Sequence, residues 1–193
     1  MRNFEKTHND SLIRLDAFDN SGFSRGASRL TEVCWFVVSG LLMESWLPGS
    51  AWRRVILRIF GADIGKAVVI KPRVRVKFPW RLKVEDYSWI GEQVWIDNLN
   101  AVKIGAHCCL SQGAYLCTGS HDWSDRYFAL VTAPIEIGCG AWIGAKASIA
   151  PGTCIEPGAV VTMGSFAHGR VMSWSINTGI PAKPQKKRNI RIA

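Results

Sequence analysis

Several features that assign proteins to common classes are missing from this sequence of 193 residues. The longest apolar run, Val33 to Met43, has 11 residues, whereas a membrane-spanning helix needs about 20. The N-terminus has no succession of basic, apolar and small residues of the kind that marks a secretory signal. The six cysteines include no Cys-x-x-Cys pair, which favours free thiols in a reducing compartment. We therefore expect a cytoplasmic protein with free thiols and no transmembrane segment.

Acidic residues are also scarce, because 15 Asp and Glu stand against 24 Lys and Arg and leave a formal net charge of +9. Such a charge attracts phosphates, acidic lipid headgroups or nucleic acid. The cations form no recognisable readout motif, so we expect no nucleic-acid partner. The 18 glycines and 8 prolines, with only 20% charged residues, indicate a folded, turn-rich chain and exclude a disordered protein and a long coiled coil.

A six-residue period organises the chain from residue 64 onward. The repeated position is aliphatic at Ile64, Ile70, Val76, Val84, Ile90, Ile96, Ile104, Leu110, Leu116, Ile137, Ile143, Ile149, Ile155 and Val161. A small residue stands four positions after most of these, and glycine directly follows five of them, where a tight corner could use a positive φ. A fixed short period indicates a solenoid. Each hexad is interpreted as one strand and one turn, and three hexads make one coil. The pattern predicts an all-β fold, a parallel β-helix of about five coils.

Other segments flank these coils. The predicted organisation is an N-terminal arm and helical cap (1–63), the β-helix (64–172) with an excursion loop (117–134), and a basic C-terminal tail (173–193). Within the first segment we expect a loose arm to residue 28, an apolar helix from Leu30 to Leu47 and a short amphipathic helix from Trp52 to Phe60. The apolar helix is expected to cap the open end of the coils, which would otherwise expose strand edges and core. Docking on a membrane surface is the alternative.

The hexads resemble those of the hexapeptide-repeat acyltransferases, whose fold is a three-sided left-handed parallel β-helix. More narrowly, five segments look like the colanic acid biosynthesis acetyltransferases of bacterial exopolysaccharide pathways: Leu57–Ala62, Phe78–Trp80, Trp95–Leu99, Ser111–Tyr115 and Thr118–Asp122. The resemblance covers residues 64 to about 183. It implies a homotrimeric, acetyl-CoA-dependent O-acetyltransferase whose acceptor is a sugar, a nucleotide-sugar or a lipid-linked glycan. Such an enzyme would work in the cytoplasm, at the inner face of the membrane if the apolar helix docks there.

The excursion loop carries the residue best suited to proton transfer. His121 stands at its mouth, in the sequence Ser120-His121-Asp122. Histidine can take a proton from an alcohol near neutral pH, and a positioned general base contributes about 10²- to 10⁴-fold in rate. The resemblance implies the same role, because related acetyltransferases carry their catalytic histidine in the loop-forming coil. We predict that His121 is the general base, acting without a covalent enzyme intermediate.

Three polar residues are candidate partners of this histidine. Ile96 and Leu116 occupy the same face of successive coils, so Asp97 and Asn98 lie one rung below the start of the loop. We expect Asn98 or Asp97 to position the acceptor hydroxyl or to steady the imidazole. Asp122 is an alternative for the second role. All three residues could instead serve only as polar turn residues.

The resemblance also implies where coenzyme A binds. In related enzymes the tail after a Gly-x-Pro-Ala-Lys-like segment meets the coenzyme phosphates, and Gly179–Lys183 fits that pattern. The pantetheine arm would run along the late coils between neighbouring subunits. The implied contacts are Ala145, Met163, Gly164, Lys183 and Lys186. One departure is that related families commonly carry a basic residue in the turn where this chain has Ser165–Arg170.

Other functions stay open at this point. N-acetylation of an amino sugar or acetylation of serine would use the same fold and cosubstrate, and a non-catalytic β-helix scaffold would need neither a loop histidine nor a basic tail. A zinc-dependent hydrase on a related β-helix needs three histidines, but His8, His107 and His168 are scattered and no His-x-x-x-x-His pair includes His121. We therefore expect no metal. Cys108 fits a small inward slot and is expected to behave there as a compact hydrophobe.

Overall fold

The structure is a computed structural model, and it describes residues 12–191. His8 and the first part of the N-terminal arm lie outside the described residues. Helix α1 (Arg29–Val38) continues directly into a π-helical turn (Ser39–Met43), and helix α2 (Ala51–Ile59) follows. Two 3-10 turns occupy Leu15–Ala17 and Pro79–Arg81.

Short strands make up most of the remaining chain. In chain order they are β1 (Asp63–Ile64), β2 (Val69–Ile70), β3 (Arg75–Val76), β4 (Leu82–Val84), β5 (Trp89–Ile90), β6 (Trp95–Asp97), β7 (Val102–Ile104), β8 (Cys109–Leu110), β9 (Tyr115–Cys117), β10 (Gly119–His121), β11 (Leu130–Thr132), β12 (Ile135–Ile137), β13 (Trp142–Ile143), β14 (Ser148–Ile149), β15 (Cys154–Ile155), β16 (Val160–Val161), β17 (Phe166–Ala167), β18 (Arg170–Val171), β19 (Ser175–Gly179) and β20 (Ala182–Lys187).

The strands stack into three sheets that form the walls of a β-helix, and all neighbours in them are parallel except β19 and β20. Sheet A has the order β1-β4-β7-β12-β15-β18, sheet B the order β2-β5-β8-β13-β16-β19-β20, and sheet C the order β17-β14-β9-β6-β3. Each coil adds one strand to each sheet in turn, and the antiparallel hairpin β10-β11 leaves the column after β9. The six strands of sheet A correspond to about six turns, close to the predicted number. The predicted β-helix is confirmed.

The repeated aliphatic position forms the core. All 14 of its residues are buried, none more than 5% exposed. The register pairs equivalent hexad positions of neighbouring coils, as in Ile96 against Leu116. Small residues four positions on, such as Ala114 and Ala147, are fully buried where the wall turns a corner. Because each inward residue stacks on its equivalent in the next coil, every repeat of this position carries an aliphatic side chain.

The glycines that follow the aliphatic position serve a different purpose from the one predicted. Positive φ angles occur two residues later, at positions such as Gln93 and Lys146, and not at these glycines. A Cβ added to Gly144 would lie 2.4 Å from the backbone nitrogen of Met163 in the next coil. The same close approach of the next coil applies to Gly65, Gly91, Gly105 and Gly138. Glycine is required there because neighbouring coils leave no room for a side chain.

The two helices close the N-terminal end of the column. Trp35, Met43 and Leu57 are buried in the same cluster as the first coil, and the Trp35 indole donates a hydrogen bond to the Val76 carbonyl at 3.0 Å. The opposite face of α1 is apolar and exposed, with Phe36 79% exposed. Docking of that face on a membrane stays a prediction. No helix within residues 12–191 is long and apolar enough to cross a membrane.

Both terminal segments are ordered against the coils. The arm, expected to be loose, is bound along its described part: Arg14 N–H donates to the Arg126 carbonyl at 2.9 Å, and the Trp80 indole donates to the Arg25 carbonyl at 2.8 Å. At the other end, β19 extends sheet B and β20 folds back antiparallel to it. The Arg188 guanidinium then donates to the Gly140 carbonyl at 2.7 Å, which fixes the basic tail to the column.

Candidate active site

His121 ends β10 and faces the first coils from the hairpin. Its Nδ1 lies 2.7 Å from the backbone carbonyl oxygen of Phe128. A carbonyl oxygen can only accept, so Nδ1 must carry the proton and donate it. Nε2 therefore keeps its lone pair in the neutral ring. This tautomer is the one that can take a proton from a bound hydroxyl.

Two aromatic rings contact the imidazole. Phe128 stacks on it with ring centroids 4.4 Å apart and 13° between the planes, and Phe18 meets it edge-on at 5.6 Å. Phe128 belongs to the same hairpin, whereas Phe18 comes from the N-terminal arm. The imidazole is therefore enclosed on two sides and remains only half-buried.

The ring lines a small cavity of about 290 Å³. The other side chains that shape it include Phe18, Phe23, Lys77, Phe78, Leu99 and Leu130. A larger groove of about 840 Å³ between α1 and sheet C shares Lys77 and Phe78 with this cavity. The cavity beside the imidazole and the larger groove thus share part of their walls.

Asn98 is turned away from the cavity. Its side chain is fully buried, its Oδ1 accepts from the Phe78 N–H at 2.9 Å, and its Nδ2 donates to the Phe78 carbonyl at 2.7 Å. Phe78 in turn lines the cavity of His121. Asn98 therefore holds the cavity wall, and a direct contact of its amide with an acceptor stays a prediction.

Asp97 lines the larger groove, not the smaller cavity. The Lys77 ammonium lies 3.1 Å from its Oδ1, and the Tyr115 hydroxyl donates to its Oδ2 at 3.3 Å. The Lys77 approach is an ion pair without hydrogen-bond geometry, so Oδ1 has no hydrogen-bond donor among the described residues. Burial, with the neighbouring Cys117, raises the pKa of Tyr115 above its usual range, which keeps its hydroxyl protonated as a donor.

Asp122 does not contact the imidazole. Its exposed carboxylate accepts from the Ser124 hydroxyl and backbone N–H at 2.6 and 2.9 Å. These two hydrogen bonds hold the pKa of Asp122 below its ordinary value. The geometry gives Asp122 a part in shaping the loop, and steadying of the imidazole by its carboxylate stays a prediction.

The residues implied for coenzyme A gather at the opposite edge of sheet C. Ala145 lies in the turn between sheets B and C, and the Gly164 N–H of the next coil donates to its carbonyl at 2.9 Å. Met163, in the same turn as Gly164, is 75% exposed. The Gly179 N–H donates to Ser165 Oγ at 3.0 Å and brings the basic hairpin to this edge. The exposed Lys183 and Lys186 lie on the outer strand of that hairpin.

Sequence reasoning missed the two rings that enclose the histidine. No pattern marks Phe128, because phenylalanine is not typical of the left-handed backbone that it adopts here, with a φ of 57°. Phe18 lies in a segment without periodicity. Phe18 is one of several scattered apolar residues of the arm, and nothing in their spacing sets it apart.

Other chemistry finds little support in the described residues. No group of three or more His, Cys, Asp or Glu side chains within residues 12–191 is arranged to hold a metal ion. The six cysteines are free thiols. Burial raises the pKa of the Cys108 thiol to about 11, so this residue is neutral near pH 7 and suits the packing role predicted for it.

The comparisons with known proteins point in one direction. The chain is 38% identical over 177 residues to WcaF of Escherichia coli (strain K12), a protein named for acetyl transfer in colanic acid biosynthesis; the match covers 88% of this chain and 97% of that protein. No protein-family model matches the chain.

Two solved structures have the same fold. The maltose O-acetyltransferase of Clostridium difficile 630 superposes with a TM-score of 0.77 at 19% identity, covering 84% of this chain and 90% of that one. A hexapeptide-repeat acetyltransferase of Vibrio cholerae O1 biovar eltor, solved with acetyl coenzyme A, has a TM-score of 0.76 at 21% identity and covers 86% and 92%.

Proposed function

This chain belongs to the colanic acid biosynthesis acetyltransferases, a group of hexapeptide-repeat enzymes, and from that premise we propose that it transfers acetyl from acetyl-CoA to a sugar hydroxyl in surface-polysaccharide synthesis. The observation that carries the proposal is the hydrogen bond from His121 Nδ1 to the Phe128 carbonyl. This hydrogen bond leaves Nε2 free to act as a base, and the imidazole lines a cavity of about 290 Å³ in which a sugar hydroxyl can be held.

The proposed reaction needs one base. His121 Nε2 accepts the hydroxyl proton while the acceptor oxygen bonds to the acetyl carbon, and the imidazolium returns that proton to the departing sulfur. The Phe128 carbonyl holds the ring in one orientation throughout. Asp97 lies in the adjoining groove, where its carboxylate, paired with the Lys77 ammonium, can help to position the acceptor. No covalent enzyme intermediate is required.

The edge between sheets B and C fits the cosubstrate. When bound, acetyl-CoA supplies an acyl carbon that is activated as a thioester. A Cβ at Gly164 would meet no atom within 4 Å, so the backbone there is open to close approach. Lys183 and Lys186 are exposed cations close to the end of the same edge, where they can meet phosphates. Ala145 and Met163 would flank the pantetheine arm.

The separation of these two regions supports a homotrimer. His121 follows the carboxyl ends of the sheet C strands, and Gly164 precedes their amino ends. A cosubstrate bound at Gly164 would therefore have to cross the width of sheet C to reach His121 of the same chain. A closed ring of three chains can bring the edge of one subunit to the histidine of the next. The outer faces of the sheets are consistent with such a ring. Sheet A carries charged side chains that include the Lys103–Glu136 pair at 3.2 Å and suit contact with water, whereas sheet B exposes Trp89 and Trp142, which suit contact with a neighbouring chain.

The experiment is an assay of purified protein with acetyl-CoA and a panel of sugars, nucleotide-sugars and lipid-linked glycans. We expect acceptor-dependent release of coenzyme A and a product whose acetyl group is removed by mild alkaline hydroxylamine, as an ester is. A product that resists this treatment would be an amide and would favour N-acetylation. Failure of every acceptor to accelerate coenzyme A release would contradict the proposal.

A further inference from the structure

The two rings around His121 come from segments that are far apart in the chain. Phe18 and Phe128 together enclose the imidazole, and we call this pair the aromatic clamp. Phe128 contributes twice, because its carbonyl accepts the Nδ1–H and its ring stacks on the same imidazole. A residue that sets both the tautomer and the plane of a base controls where the lone pair of Nε2 points.

Phe128 holds an unfavourable backbone conformation in order to do this. Its φ of 57° is an outlier for a bulky side chain. The surrounding loop enforces it: the Phe128 N–H donates to the Asp125 carbonyl at 3.0 Å, and the Asp125 carboxylate accepts from the N–H groups of Tyr127 and Ala129. Strain that neighbouring contacts hold in place is typical of functional sites.

Phe18 reaches the site through the N-terminal arm. The 3-10 turn Leu15–Ala17 precedes it, and the Arg14 N–H donates to the Arg126 carbonyl at 2.9 Å. This hydrogen bond ties the arm to the tip of the same loop that carries Phe128. Arm and loop are therefore fastened together beside the imidazole, although more than 100 positions separate their rings in the sequence.

We infer that the aromatic clamp makes Phe18 and Phe128 positioning residues for His121, which fix the imidazole in the Nδ1–H tautomer with Nε2 toward the cavity. The inference rests on the proposed role of His121 as the base. Proton transfer depends on alignment, and a displacement of about 1 Å can cost about 10²-fold in rate. Neither ring is expected to contact acetyl-CoA, so loss of the clamp should act on kcat and not on the KM for acetyl-CoA.

Three substitutions separate the parts of the clamp. Phe128→Gly keeps the left-handed backbone and the carbonyl but removes the ring, whereas Phe128→Val disfavours that backbone and so displaces the carbonyl as well. Phe18→Ala removes the second ring. We expect kcat to fall on the order of 10-fold for Phe128→Gly and Phe18→Ala and about 100-fold for Phe128→Val. Phe18→Tyr retains a ring and should restore kcat to near the wild-type value.

The chain offers a matched control. Tyr87 also has a positive φ, of 60°, and stacks on an imidazole, that of His107, with centroids 5.1 Å apart and 13° between planes. This pair lies at the corner between sheets A and B, away from both halves of the site. Tyr87→Gly should leave kcat unchanged while shifting the thermal unfolding midpoint about as much as Phe128→Gly does.

The tautomer gives a readout that is independent of turnover. Long-range proton–nitrogen NMR correlations of imidazole-labelled protein should show the His121 proton on Nδ1 in the wild type and a loss of that preference in Phe128→Val. An unchanged tautomer in Phe128→Val, or wild-type kcat in both Phe18→Ala and Phe128→Val while His121→Ala is inactive, would overturn the clamp and leave the proposed function standing. Full activity of His121→Ala would instead remove the proposed base itself.

Discussion

The Asn98 side-chain amide hydrogen-bonds to both backbone groups of Phe78: its Oδ1 accepts from the Phe78 N–H, and its Nδ2 donates to the Phe78 carbonyl. The amide is fully buried, and the backbone that it holds begins the 3-10 turn Pro79–Arg81. Phe78 then lines the cavity beside His121. Asn98 therefore supports the wall of the His121 cavity through Phe78 and does not itself line that cavity.

The first prediction concerns the stability that this contact provides. Asn98→Ala leaves two backbone groups of Phe78 without their partners, and we expect a loss of about 2 to 4 kcal/mol in the free energy of unfolding. Urea titration of the wild type and the variant measures the difference. Asn20→Ala, at an exposed arm position, should change it by less than about 0.5 kcal/mol. A loss no larger in Asn98→Ala than in Asn20→Ala would contradict the assignment.

The second prediction tests the two kinds of glycine in the coils. Gly144→Ala places a Cβ 2.4 Å from the Met163 nitrogen, so the backbone must move, and we expect a loss of about 3 kcal/mol. Gly140→Ala meets no atom within 4 Å, and only its φ of 69° is unfavourable, for a loss of about 1 kcal/mol. Equal losses in denaturant unfolding would show that crowding between coils is not what selects glycine at Gly144.

The third prediction tests whether neighbouring chains share each site. His121→Ala and Ala145→Trp should each be inactive alone, the first by removing the base and the second by filling the cosubstrate edge. Co-expression of the two variants with different tags should restore about a quarter of wild-type activity, because that fraction of the interfaces in a random closed ring joins two intact halves. Mixed oligomers without restored activity would mean that both halves of the site belong to one chain.

The fourth prediction concerns acid stability. The Ser173 N–H and the Arg170 guanidinium hydrogen-bond to the Glu156 carboxylate and hold its pKa below the ordinary value. A lowered folded pKa contributes stability that is present above the ordinary pKa, near 4.3, and is lost as pH falls through the folded value. Thermal unfolding midpoints of Glu156→Gln should therefore lie below wild type at pH 7 and approach it toward pH 3.

Glu44→Gln is the control for this pH series, since the Glu44 carboxylate makes no hydrogen bond or ion pair among residues 12–191. Comparison with this variant at each pH separates the loss of the Glu156 hydrogen bonds from the loss of one exposed carboxylate. A constant offset between Glu156→Gln and wild type from pH 7 to pH 3 would show that the carboxylate charge does not stabilise the fold.

The column could be predicted from the sequence because each inward residue repeats at a fixed spacing and stacks on its own equivalent. Counting alone assigns Ile96 and Leu116 to one face, and the register pairs them. Counting also placed Asp97 and Asn98 at the end of the same strand. It could not give the direction of the Asn98 amide, because that depends on the backbone of Phe78, where the coil below departs from the hexad pattern.

The parts of the site outside the repeat could not be predicted. Phe128 adopts its left-handed backbone because Asp125 binds the peptides around it, and nothing in the letters of the loop specifies those hydrogen bonds. Phe18 reaches His121 from an arm whose Arg14 N–H bonds to the Arg126 carbonyl, a contact across more than 100 positions. The candidate histidine can be predicted because the loop interrupts the repeat and because the hexads resemble a family with a catalytic histidine in such a loop.

The most direct test of the account is the turnover number of His121→Ala with acetyl-CoA and an accepted sugar, measured beside His107→Ala as a matched substitution at an exposed site remote from the cavity. Removal of a positioned general base should lower kcat by about 10²- to 10⁴-fold in a protein that still folds, while His107→Ala keeps its activity. A folded His121→Ala protein with wild-type kcat would contradict the account.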